Sequence, residues 1–165
     1  MADPLLAFRR DHEEIRPRLR ALEAALDAAM NRDRAVPPEL AVFRGTIAFL
    51  QSVAFDHFRR EERALLPPLE AKVGRYGSLV NVIAYDHEEV RREVDKLAAA
   101  VAVLAAKGDA PHDLELREVN RHGIFLVQYL GLHMAKEDAY FGGAARDELG
   151  SDGLAEVAQL LEDEA

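Results

Sequence analysis

Apolar residues recur along this chain at alternating steps of three and four, in four long stretches. Leu5, Phe8, His12, Ile15, Leu19, Leu22 and Leu26 form the first seam, with polar or small residues filling most positions between them. That spacing is the period of an α-helix burying one stripe. Val80, Ile83, His87, Val90, Val94, Leu97, Val101 and Leu104 repeat the seam 75 residues later. A second pair of seams is related by 76 residues. Phe43, Ile47, Leu50, Ala54, His57 and Glu61 match Val119, Gly123, Leu126, Leu130, His133 and Glu137.

Punctuation residues bound these stretches. Asp3 can N-cap a first helix that starts at Pro4, and the polar segment Asn31 to Pro38 ends it. The second helix is predicted over about 38–70 and ends near Pro67-Pro68. The third has Ser78 as its N-cap and closes at Gly108-Asp109-Ala110-Pro111; the fourth spans about 113–141 and closes at Gly142-Gly143. Ser151 can cap a short amphipathic tail helix, about 151–164, carrying Leu154, Val157, Leu160 and Leu161. Short connections between long helices imply antiparallel neighbours. The prediction is an all-α protein: an up-down-up-down four-helix bundle with a short C-terminal helix. Its halves, about 3–73 and 78–143, read as an internally duplicated αα-hairpin within one domain, 1–165. Pro17 breaks the repeat, since its counterpart is Arg92, and it predicts a kink one turn beyond His12.

Composition narrows the function. Without cysteine, thiolate ligands, iron–sulfur clusters and disulfides are excluded, so any metal must be held by nitrogen and oxygen. A formal charge of −9 argues against a nucleic-acid partner. Met1-Ala2-Asp3-Pro4 carries no secretory pattern, and the small-apolar run from Leu97 to Ala106 is far short of the roughly 20 residues that span a bilayer. The expectation is a cytoplasmic protein, monomer or homodimer, with no membrane partner.

The repeated seams carry chemistry. Asp11-His12-Glu13-Glu14 reappears as Asp86-His87-Glu88-Glu89, and each copy is followed by a histidine and a glutamate four apart, His57 with Glu61 and His133 with Glu137. Residues four apart on a helix reach one point. A lone histidine on an apolar seam is ordinarily a core residue, and a lone His-x-x-x-Glu is commonly a surface pair. Burying all six positions unpaired would cost several kcal/mol for each carboxylate, on the order of the penalty for an uncompensated buried charge. Metal ligation removes that cost. The expected ligands are His12, His57, Glu61, His87, His133 and Glu137, around two metals. If both glutamates bridge, each metal receives two imidazole nitrogens and two carboxylate oxygens. A bridging oxo or hydroxo group would add a fifth donor and leave a position open. Iron, manganese and zinc all suit such a set.

The stretches DHEEIRPRL from Asp11, HFRREERALLPPL from His57, DHEEVRREV from Asp86 and HMAKEDAYF from His133 resemble the hemerythrin family, specifically hemerythrin-like proteins with the HHE cation-binding domain. The resemblance implies a four-helix bundle with a non-heme di-iron centre held by the same six residues. Oxygen-carrying members have five histidines, two of them four apart on the third helix. Here the residues four from His87 are Ile83 and Arg91. The carriers also use an aspartate five residues after the last histidine, where Asp138 stands. Glu137 is preferred because it matches Glu61 across the repeat. One imidazole fewer leaves a more open centre. The resemblance therefore implies binding of, or reaction with, dioxygen, peroxide or nitric oxide, including peroxide decomposition or another di-iron oxidoreductase activity. The alternative is iron or oxygen sensing, or iron buffering, without turnover.

Around the ligands, Tyr129 stands one turn before His133 and could donate a hydrogen bond to a molecule bound there, or pack at a helix interface with its hydroxyl in water. Tyr140 and Tyr85 are lesser candidates. Asp11, Asp86, Glu62 and Asp138 flank ligands, either as carboxylates that orient histidines or, by default, as solvated or inter-helix ion pairs. His122 lies off the seam and His112 in a loop, and both are read as non-ligands.

Overall fold

The computed structural model describes residues 3–76, 79–108 and 113–163, which are all-helical and contain no strand. Helix α1 covers Leu5–Asn31 and continues through Pro17, so the predicted kink does not divide it. It starts one residue later than expected, with the Asp3 carboxylate accepting the Leu5 N–H at 3.1 Å. Next comes a continuous helical rod from Pro37 to Val73. Its α-helical parts are α2 (Pro37–Phe49), α3 (Phe55–Arg60) and α4 (Leu66–Val73), joined by two π-helical turns at Leu50–Ala54 and Glu61–Leu65. At its start Glu39 reaches back to accept the Val36 N–H at 2.8 Å and also pairs with Arg32, which satisfies a donor that the first turn leaves open. Helix α5 covers Val80–Ala106 and α6 covers Asp113–Phe141. Ser78, Asp109 to Pro111 and His112, named above as a cap, a stop and a non-ligand, lie outside the described residues.

The rods form a helical bundle. Helix α1 packs on α2 and α6, and α5 packs on α6 and α2. Helices α1 and α5 therefore lie diagonally across the bundle, as do the α2–α4 rod and α6. The last helix, α7 (Ala144–Asp163), is longer than the predicted tail. Gly142-Gly143 ends α6, but the Gly143 carbonyl accepts the N–H groups of Arg146 and Asp147 and restarts the helix at once. The break expected before Ser151 falls at Gly150, whose φ of +63° suits a residue without Cβ. Helix α7 folds back on α4 and on the end of α6.

The interior divides in two. One apolar cluster, from Ile15 and Leu50 to Leu104 and Leu126, fills most of the bundle. A smaller one at the opposite end gathers Leu5, Phe8, Leu69, Ile83, Phe141 and Val157 beneath α7. Between them, on every rod, the seam turns polar for one layer. No described helix is long and apolar enough to cross a membrane.

Candidate metal centre

That polar layer consists of His12 from α1, His57 and Glu61 from the second rod, His87 from α5, and His133 and Glu137 from α6. All six are at most 1% exposed. The heptad seams of α1 and α5 carry His12 and His87 inward from one diagonal, and the i, i+4 pairs bring the other four from the other diagonal. The structure brings together all six residues singled out from the sequence.

Their donor atoms fall into two overlapping groups. His12, His57, Glu61 and Glu137 each offer one atom within 4.8 Å of the others, and so do Glu61, His87, His133 and Glu137. Both glutamates belong to both groups, and each imidazole pair belongs to one. Glu137 approaches His133 at 3.1 Å, His12 at 3.2 Å and His87 at 3.7 Å; Glu61 approaches His87 at 3.1 Å and His57 at 3.5 Å.

These approaches lack hydrogen-bond geometry. Both carboxylate oxygens of Glu61, both of Glu137, and Nε2 of His87 and His133 are buried without a hydrogen-bond partner. In the first group, Nε2 of His12 faces Nε2 of His57 at 3.1 Å. With one proton of each ring engaged at Nδ1, as described below, this contact sets two lone pairs against each other unless one ring carries a second proton. Buried polar atoms are almost always paired, and an unpaired buried carboxylate costs several kcal/mol, on the order of its uncompensated desolvation. Two carboxylates and two inward imidazole nitrogens without hydrogen-bond partners, beside two more nitrogens that face each other, fit divalent or trivalent cations of the iron, manganese or zinc type.

The outer ring nitrogens explain the tautomers. His12 Nδ1 donates to Asp138 at 2.8 Å, His57 Nδ1 to Asp11 at 3.0 Å, His87 Nδ1 to Glu62 at 2.9 Å, and His133 Nδ1 to Asp86 at 3.2 Å. Each carboxylate is held by a cation in turn: Arg16, Arg60, Arg91 and Lys136 respectively. A carboxylate behind a ligand histidine fixes its tautomer and turns Nε2 inward. The four flanking acids are thus inter-helix ion pairs and histidine-orienting groups at once. Asp138 points outward to His12 and Arg16, while Glu137 points into the layer.

Electrostatics follow the contacts. Burial pushes the Asp86 carboxyl up, but the bonds from His133, Lys136 and Tyr129 outweigh it and hold the group at about 2. Glu62 sits at about 2 for a similar reason, with His87 and Arg91 overcoming its burial. Burial alone would lower His87, yet Glu137, Glu61 and Glu62 raise it to about 10. His12 is raised by Glu137 and Asp138 against the same opposing burial.

Other residues depart from the sequence reading. The Tyr129 hydroxyl neither points into the layer nor rests in water; it donates to Asp86 at 2.6 Å. Tyr140 donates to Glu148, and Tyr85 is 58% exposed. His122 is buried and paired with Glu93, remote from the six. Sequence reasoning missed Phe58, which is fully buried and stacked on His87. Its position beside His57, in a segment dense with arginine and glutamate, was the available signal.

Among known families, the one described as hemerythrin HHE cation binding domain matches residues 3–110. The match takes in His12, His57, Glu61 and His87 and stops before His133 and Glu137. Those two rest on the internal repeat and on the geometry. No curated protein and no solved structure matches the chain.

Proposed function

The chain belongs to the hemerythrin HHE cation-binding domain family, and from that premise we propose that it is a non-heme di-iron protein that binds or reacts with dioxygen, peroxide or nitric oxide. His12 and His57 would hold one ion, His87 and His133 the other, and Glu61 and Glu137 would be shared between them. The observation that carries this reading is the pair of glutamates, common to both donor groups and without hydrogen-bond partners at all four oxygens. When bound, iron supplies a redox-active Lewis acid at a centre with four protein donors for each ion, fewer than saturate it.

The chain's own residues do the rest. Asp138, Asp11, Glu62 and Asp86 keep the histidine protons on Nδ1 and so leave Nε2 free to ligate. The apolar clusters on either side exclude bulk water and favour a small, weakly polar guest over a large polar substrate. This reading includes an up-down-up-down course for the four rods, a single domain over 1–165, and a cytoplasmic monomer or homodimer without a nucleic-acid partner.

Iron-loaded protein should contain two ions per chain and should speed peroxide disproportionation or nitric oxide loss beyond free iron. Glu61→Ala should abolish both the metal content and the activity. Two bound ions with no gain over free iron would favour the second reading, iron or oxygen sensing or iron buffering without turnover. Enclosure supports that alternative: donors buried between two apolar clusters suit a centre whose occupancy controls stability. Metal removal should then lower the melting temperature strongly. A chain that binds no metal defeats both readings.

A further inference from the structure

The four outer carboxylates are not alike. Asp11, Glu62 and Asp138 are each held by an arginine, and their side chains are 22%, 32% and 26% exposed. The Asp86 side chain is 6% exposed and is held by Lys136. The repeat gives nearly every member of this outer layer a counterpart: Asp11 with Asp86, Arg60 with Lys136, Glu62 with Asp138, Arg16 with Arg91. Tyr129 has none that can donate, because Val53 stands at its place.

Asp86 therefore serves three donors. The Tyr129 hydroxyl occupies Oδ1 at 2.6 Å, and Lys136 shares Oδ2 with His133. The His133 bond, at 3.2 Å, is the longest of the four. A carboxylate that accepts two other strong bonds polarises the imidazole behind it less. That imidazole is then a poorer donor through Nε2. Behind the His12/His57 pair, Asp138 and Asp11 each accept one further hydrogen bond, from an arginine; behind the other pair, Glu62 accepts two from Arg91 and Asp86 accepts two from separate side chains.

We infer that Tyr129 is a positioning residue that makes the two halves of the centre inequivalent, leaving the cation position between His87 and His133 the less strongly donated of the two. The inference rests on the dimetal reading above and concerns only how the two positions differ. The hydroxyl acts through Asp86 and His133 and touches no inward donor. Tyr129→Phe removes one hydrogen bond while keeping the ring that stacks on Phe125.

The test uses zinc-loaded protein with nitrogen-15 in its histidines. In the wild type, the His133 Nδ1–H resonance should lie upfield of those of His12, His57 and His87. Tyr129→Phe should move it downfield among the other three and tighten the weaker of two stepwise zinc constants about tenfold. The reciprocal variant, Val53→Tyr, should carry the His57 resonance upfield, and it supplies the test if Tyr129→Phe fails to fold. Two bound zinc ions with the His133 resonance unmoved in Tyr129→Phe would overturn the inference and leave the dimetal reading standing. A wild-type chain that takes up no zinc and no iron would remove both.

Discussion

Phe58 lies face to face with His87, the ring centroids 4.1 Å apart and the planes 13° from parallel. It meets His133 edge-on at 5.7 Å, and the Arg91 guanidinium sits 5.5 Å from its ring centroid. The ring is thus a wall that fixes the rotation of one ligand candidate and borders a second. Phe58→Ala should cost about 3–5 kcal/mol, as a large buried ring gives way to a cavity. Phe58→Met copies Met134, its counterpart in the repeat, and should cost under about 1.5 kcal/mol. Urea unfolding of metal-free protein measures both. Equal stability in the two variants would show that the wall is dispensable.

Glu137 and Asp138 are neighbours in sequence with opposite assignments. Glu137 faces the buried layer and belongs to both donor groups, while Asp138 bonds His12 Nδ1 from outside. Glu137→Ala should abolish metal retention. Asp138→Asn should keep two ions per chain and weaken the affinity by about 10–100-fold, the usual effect of losing a carboxylate behind a ligand histidine. Chelator competition followed by elemental analysis separates the two. The reverse ranking would make Asp138 the ligand.

The metal-free protein should have an unusual pH profile. His87 is raised to about 10 by the carboxylates around it, from an ordinary 6.5, and His12 is raised as well. Stability from these protonated imidazoles is complete below the unfolded value and fades as pH rises toward the folded one. Glu137 is held well below the ordinary carboxylate value of 4.5, with the close imidazoles of His12, His87 and His133 overcoming its burial. Its contribution is present above that value and lost only in stronger acid. Metal-free protein should therefore be most stable near about pH 5–6 and lose on the order of a few kcal/mol toward pH 10. Loaded imidazoles have no such proton to lose. Bound metal should flatten the decline, and its uptake at neutral pH should release protons. Urea midpoints across pH, with and without metal, check this. A metal-free protein that grows more stable between about pH 6.5 and 10 would contradict it.

A second buried pair lies away from the layer. His122 Nδ1 bonds Glu93, whose other oxygen takes Lys96 at 3.0 Å. Glu93→Ala should cost about 1–3 kcal/mol, the penalty of a buried donor left without its acceptor. The metal content should stay at the wild-type value. A loss of metal alongside the loss of stability would tie this pair to the centre.

The layer itself was readable because a helix repeats its faces at fixed steps. His12 and His87 declare their inward positions by the apolar residues one turn away on either side, and His57 and His133 by the apolar residues one turn before them and the matched glutamates one turn after. The outer carboxylates were not readable in the same way. Asp11 adjoins His12 in sequence yet bonds His57, because adjacent helical residues point about 100° apart and its partner depends on how two helices are rotated together. Phe58 was hidden for the same reason. The π-turns around Glu61 had no local signature at all, since their backbone stays in the ordinary right-handed region. Gly142-Gly143 does stop α6 where expected, but the early start of α7 at Ala144 was not readable, because the chain turns and resumes helix within one residue.

Each half of the chain brings one complete imidazole pair and only one of the two shared glutamates. His12 and His57 need Glu137, and His87 and His133 need Glu61. Neither hairpin can complete a donor group from its own residues. The short connection between Val73 and Val80 thus fixes the effective concentration at which the halves meet, on the order of millimolar for a short tether. A chain cleaved in that connection should form the layer only as fast and as fully as its two pieces associate. Metal uptake, independent of dilution in the intact protein, should become steeply dependent on it after the cut.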